Sequence, residues 1–158
     1  MKKLIAILTA LCLLAAAGAA LADMEIPSWD SMPAVVLEDE NTTVDEAAFE
    51  GEWVLNAAFL DTVYIDTATL ADSFGFNFTP FRIAEGKIMQ DVQNENGEFT
   101  TEEMVYAFEA GQLQSTDDNG LNYAVDLLED GNIVMSLFVP GEGDTVRCLS
   151  LYLVHPEE

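Results

Sequence analysis

The chain is expected to be all-β: an eight-stranded antiparallel up-and-down barrel with one short helix after the first strand. Three observations lead there. From Phe78 to Val154 there are short apolar stretches of strand length, with no helix-length interruption. Turn pairs separate them: Glu85-Gly86, Asn96-Gly97, Ala110-Gly111, Asn119-Gly120, Asp130-Gly131 and Pro140-Gly141. Asn-Gly and Asp-Gly favour tight hairpins because both central residues must tolerate positive φ. Several stretches alternate apolar and polar residues, as a half-buried antiparallel strand requires.

In chain order, Met1-Lys2-Lys3 is a basic start and Leu4 to Ala17 an apolar run. Ala20-Leu21-Ala22 then offers a small-x-small cleavage site, so residues 1–22 read as a secretory signal peptide. The run is short for a bilayer span of about 20 residues. Cys12 lies inside it, but Leu11 stands where lipid attachment wants a small residue. The expected protein is therefore secreted or extracytoplasmic, with no membrane contact after cleavage.

Cleavage after Ala22 would leave 136 residues, enough for one domain. Lys2 and Lys3 leave with the leader. Arg82, Lys87 and Arg147 then face 29 acids, a net charge of −26. That surface repels phosphate backbones and anionic lipid, so no nucleic-acid partner is expected. Cys148 alone survives processing, so no intramolecular disulfide is available. In an apolar strand it reads as a small buried hydrophobe.

Residues 23–48 read as an acidic spacer, with Pro27, Pro33, Glu38-Asp39-Glu40 and Asp45-Glu46. Ile26, Trp29, Met32 and Val35-Val36-Leu37 are too apolar for a pure linker. The domain is expected over 49–158. Its first strand spans Glu50 to Leu60, with Trp53, Leu55 and Ala57 on one face and Val54 and Ala58 on the other. A helix follows from Asp66 to Gly75. Asp66 suits an N-cap, Ile65 and Leu70 have staple spacing, and Gly75 suits the position after the last turn. Phe74, Phe76, Phe78 and Phe81 read as a core plug.

Seven more strands are expected, over 79–84, 87–93, 99–109, 112–116, 121–128, 132–139 and 145–155. Met104, Tyr106 and Phe108 share the inward face of one; Leu121, Tyr123, Val125 and Leu127 share that of another. The last two strands are apolar on both faces, and only one face of a barrel wall can point inward. Residues 26–37 are expected to pack across the other.

Gly51-Glu52-Trp53 at the head of the first strand resembles the G-x-W signature of lipocalins. With eight strands, residues 49–155 look like the bacterial lipocalin-like domains of exported proteins. The resemblance implies that Trp53 closes one barrel end, under an arginine from the last strand. Antiparallel pairing of the first and last strands instead places His155 or Leu153 nearer Trp53 than Arg147.

No motif specifies a reaction, and no enzyme is expected. His155 is the single histidine, no Cys/His cluster suits zinc, and no phosphate loop is present, so no cofactor or metal is implied. Asp117-Asp118-Asn119-Gly120 and Asn94-Glu95-Asn96-Gly97 offer oxygens, but without the alternation of a calcium loop. Two function classes fit. One is a binding module holding a small apolar ligand among Trp53, Tyr106, Phe108, Tyr123 and Met135. The other is a non-catalytic protein-interaction or structural module with a side-chain-filled barrel, meeting a protein partner through the apolar outer face of its last two strands or through its acidic rim.

Overall fold

The computed structural model describes residues 27–93, 96–116, 120–140 and 145–156. The expected leader over 1–22 lies outside these residues, as do parts of three expected turns. Among the described residues nine strands form: β1 (Gly51–Leu60), β2 (Val63–Ile65), β3 (Phe81–Ala84), β4 (Lys87–Gln93), β5 (Phe99–Glu109), β6 (Gln112–Thr116), β7 (Asn122–Leu127), β8 (Ile133–Pro140) and β9 (Val146–Val154). One helix, α1 (Thr67–Phe74), lies between β2 and β3.

Consecutive strands from β3 to β9 pair antiparallel, and both ends of the series return to β1. Gly51 to Trp53 pair with β3, while Val54 to Leu60 pair with β9, from Val54↔Val154 to Leu60↔Leu149. This is a closed eight-stranded antiparallel barrel, an architecture consistent with the calycin type, and closure removes the sheet edges. β2 is a ninth, short strand that the sequence reading did not anticipate. It folds back on Ala58 to Leu60, above the short β3 pairing. The tight turns follow the expected chemistry. Glu85-Gly86 and Ala110-Gly111 have both central residues at positive φ, which matches the twist of the flanking strands.

One reading of β1 is corrected. Simple alternation put Ala57 with Trp53 and Leu55. The β1–β9 register instead shifts between Leu55 and Ala57. A bulge inserts one residue and reverses the parity beyond it. Ala58 and Leu60 therefore turn into the core, and Ala57 and Phe59 turn outward.

The barrel is stoppered at both ends. At the base, Asp45 accepts the Ala47 N–H at 3.0 Å and starts a single 3-10 turn, Glu46–Phe49. Phe49 is fully buried, with its ring 6.2 Å from Phe108. Its carbonyl accepts the Trp53 Nε1–H at 2.8 Å. At the rim, α1 presents Leu70, also fully buried. Asp66 caps it through the Thr69 N–H at 2.8 Å, and Gly75 ends it at φ 63°. Phe76 follows, its ring 6.1 Å from Phe81. Phe76 and Phe81 join the core, whereas Phe74 and Phe78 of the expected plug stay exposed.

Residues 27–37 lie along the outside of the wall. The Trp29 ring meets Phe59 edge-on at 5.5 Å. Further along, the Val36 N–H donates to the Leu127 carbonyl at 2.8 Å, and the Glu129 N–H donates to the Ala34 carbonyl at 2.9 Å. On the outer faces between these anchors, Ala57, Phe59, Val134 and Ser150 are all buried. The strap thus covers the base half of the second apolar face, the placement expected for it. Removing residues 23–40 would uncover Phe59 and Val134, at a cost of about 3 kcal/mol. The expected fall in Tm is roughly 10 °C for a domain of this size; an unchanged thermal unfolding curve would refute the covering role.

Candidate functional site

Two places could hold a ligand: the barrel interior and its outer wall. The sequence pointed to the interior. The five residues expected to line it do converge there, but as packing. Trp53 and Met135 have no exposed surface, Tyr106 is buried, and Phe108 and Tyr123 pack against the same cluster. Ile83, Ile88, Leu113, Val125, Ile133, Leu151 and Leu153 fill the space between them, each fully buried or nearly so. An eight-stranded barrel is just wide enough for side chains of this size to fill.

Trp53 sits at the base. Its ring stacks on His155, with centroids 3.8 Å apart and planes at 28°. His155 Nδ1 lies 3.2 Å from the Glu52 carbonyl oxygen. Gly51 matters here: a Cβ on it would come within 3.2 Å of the imidazole. Arg147 is at the other end of β9. It pairs with Asp61 at 3.0 Å, whose other oxygen accepts the Cys148 N–H at 3.1 Å. Those two contacts, the backbone bond foremost, hold the Asp61 carboxyl below its usual range. The position that the lipocalin resemblance gives to an arginine is therefore taken by His155, as antiparallel pairing requires.

Tyr106 is the one polar irregularity inside. Its hydroxyl is buried beside the Glu46 carboxylate, and no hydrogen bond of good geometry reaches it among the described residues. Burial, and then the nearby Glu46 carboxylate, push its pKa above the ordinary tyrosine value.

The outer wall carries a concavity of about 630 Å³ over β5 to β8. Strand register explains it. Outward residues form rows across the strands. The rim-side row is Val105, Thr116, Asn122 and Phe138; the next is Ala107, Gln114, Ala124 and Ser136; the base-side row is Glu109, Gln112, Asp126 and Val134. The middle row is built largely of small side chains, so a hollow runs between two bulkier rows. Its lining includes Val105, Ala107, Gln114, Thr116, Ala124 and Phe138. Same-face rows lie about 7 Å apart along each strand, and four strands span about 14 Å.

Hydrogen bonds hold the two walls. Gln114 Nε2 donates to Gln112 Oε1 at 3.0 Å, and Gln112 Nε2 donates to Asp126 Oδ1 at 2.6 Å. Across the hollow, Thr116 Oγ1 donates to Asn122 Oδ1 at 2.9 Å. Asp126 is half-buried, and that desolvation pushes its pKa above the ordinary carboxylate value; the Gln112 bond offsets part of the effect. Val105 and Phe138 are 72% and 42% exposed, so the rim-side row ends in uncovered apolar groups at both sides. Nothing local in the sequence marks this site. Its signal is small outward residues at matching positions on neighbouring strands, which shows only once the register is known.

Among the described residues, no group of three or more His, Cys, Asp or Glu side chains is placed to hold a metal ion. No protein-family model matches the chain, and no curated protein matches it.

Two predictions test these groups. Tyr106→Phe removes an unsatisfied buried hydroxyl and should leave stability unchanged or raise it by about 1 kcal/mol; a clear loss in denaturant unfolding would show a hydrogen bond to that hydroxyl. A raised folded-state pKa at Asp126 means a contribution present below the unfolded value of 3.8 and lost as pH rises through the folded value. Asp126→Asn should accordingly raise Tm at pH 7, with the gain over the parent shrinking as pH falls toward about 4. A pH-independent difference would contradict the desolvation account.

Proposed function

We propose that this chain is an exported, non-catalytic binding module, whose filled barrel is a rigid scaffold and whose outer wall over β5–β8 meets a partner protein. One observation carries the reading: apolar side chains occupy the barrel interior, while the hollow with exposed apolar ends lies outside it. Open to solvent on one side, such a hollow suits a protruding part of a macromolecule better than a small molecule, which binding sites usually surround on most sides. Exposed apolar groups set among polar ones mark interaction surfaces.

Export rests on the basic start, apolar run and small-x-small site of residues 1–22. Kinship with bacterial lipocalin-like domains is supported by the closed barrel, the Gly51-Glu52-Trp53 start and the seat of Trp53 at the base. A charge of −26 after leader removal disfavours nucleic acid and anionic lipid. The second reading is a carrier for a small apolar molecule. Its support is a set of inward side chains that stay partly exposed, namely Leu60, Met104, Tyr123 and Leu137.

The two readings separate by experiment. A photo-crosslinking side chain at Gln114 should give discrete protein adducts in producing cells, and Ala124→Trp, which fills the hollow, should abolish them. The same probe at Asp72 on α1 should give none. If instead the purified mature protein takes up Nile red with saturable affinity, loses it on Tyr123→Ala and gives no adducts from Gln114, the carrier reading replaces the first.

A further inference from the structure

The two walls of the hollow differ in chemistry, and that difference specifies a partner. The rim-side row offers Val105 and Phe138, with the Thr116–Asn122 bond between them. On the base side Gln112 lines the hollow, and the carboxylates of Glu109 and Asp126 flank it just outside, as its register neighbours on the adjoining strands. The walls are four residues apart along each strand, about 13 Å. That is room for one helix of roughly 10 Å diameter, or for an extended segment, lying across the strands. We propose that the hollow seats a cationic amphipathic segment of a partner protein, its apolar side on Val105 and Phe138 and its basic side on Glu109 and Asp126. The inference rests on the interaction-face reading and adds the chemistry of the occupant.

Charge narrows the choice. Each Lys and Arg among the described residues sits in an ion pair: Arg82 with Asp91 at 3.5 Å, Lys87 with Glu103 at 2.5 Å and Arg147 with Asp61 at 3.0 Å. Among the described residues, therefore, no lysine or arginine is spare to lie along the acidic wall. A second copy would bring another −26 against the first, and self-association of that kind is repelled. The nearby segment Glu38-Asp39-Glu40 would oppose the same wall. A basic partner meets none of these objections. It would also relieve Asp126, whose half-buried carboxylate has only the Gln112 amide against its desolvation. Steering by the overall negative field would speed the encounter, and contact with the apolar ends would set the register.

The test uses purified mature protein at physiological ionic strength with two labelled helical peptides. One carries leucines on one face and lysines on the other; the second has serines in place of the lysines. The lysine peptide should shift the backbone amide signals of Ala107, Gln114, Ala124 and Phe138. Ala124→Trp should weaken it about tenfold in fluorescence anisotropy, and Asp126→Asn about threefold. Asp72→Asn, the same charge change on distant α1, should alter affinity by less than about twofold. If Ala124→Trp does not fold, Phe138→Ser provides the same comparison. Equal loss from Asp72→Asn and Asp126→Asn would reveal diffuse attraction and overturn the proposal. If both peptides shift the hollow with equal affinity, the cationic assignment fails and the interaction face stands. If neither peptide shifts those signals, both readings fail.

Discussion

The pairing of β1 with β9 is the constraint on which the rest of the molecule depends. From Val54↔Val154 to Leu60↔Leu149 it joins the beginning of the domain to its end. Without it, the nine strands, still paired in series, would form an open sheet with two exposed edges and one apolar face lacking a partner. With it, the inward rows of every strand meet, and the interior becomes one continuous cluster from Trp53 to Leu153. The bulge between Leu55 and Ala57 belongs to this closure. It turns Ala58 and Leu60 inward and sets Phe59 on the outside, where Trp29 meets it.

Closure also leaves the chain with tasks at both ends. Its base is sealed by residues immediately before β1: Phe49 supplies the ring and a carbonyl for Trp53, and His155 covers Trp53 from the last strand. Its rim is sealed by α1 through Leu70. The strap then handles the apolar outer face that closure creates on the last strands. It reaches only the base half, near Phe59 and Val134. Phe138 and Val146, toward the rim, remain exposed. The hollow lies beside that uncovered half. Because the barrel is stabilised by its own filling, its outer wall is free to vary without loss of the fold, which is the condition for a scaffold whose function sits on its surface.

Most of the fold was legible in the chain, because hairpin turns and two-residue alternation are local signals. Glu85-Gly86 and Ala110-Gly111 announced tight turns, and Tyr123-Val125-Leu127 announced an inward row. Asp66, Leu70 and Gly75 marked a helix whose caps formed where their chemistry called for them. The antiparallel relation of first and last strands was enough to keep Arg147 away from Trp53 and to narrow its neighbour to His155 or Leu153; the structure seats His155 there. β2 escaped notice because Val63 to Ile65 is too short to show a period. Ala57 was misplaced because a bulge changes parity without any change in composition. The five interior residues were rightly grouped by face, yet face alone does not say whether a barrel encloses space or side chains.

The sequence by itself determined the eight barrel strands, the tight turns at Glu85-Gly86 and Ala110-Gly111, the acidic composition and the inward rows outside the bulged part of β1, since each follows from neighbours a few residues apart. Only tertiary structure decided that the cylinder closes through a bulged pair, that its interior is filled, and that a hollow forms outside. Ala107, Gln114, Ala124 and Ser136 come from four different strands, and nothing local relates them. Their alignment is a property of register, which exists only once every strand has found its partner.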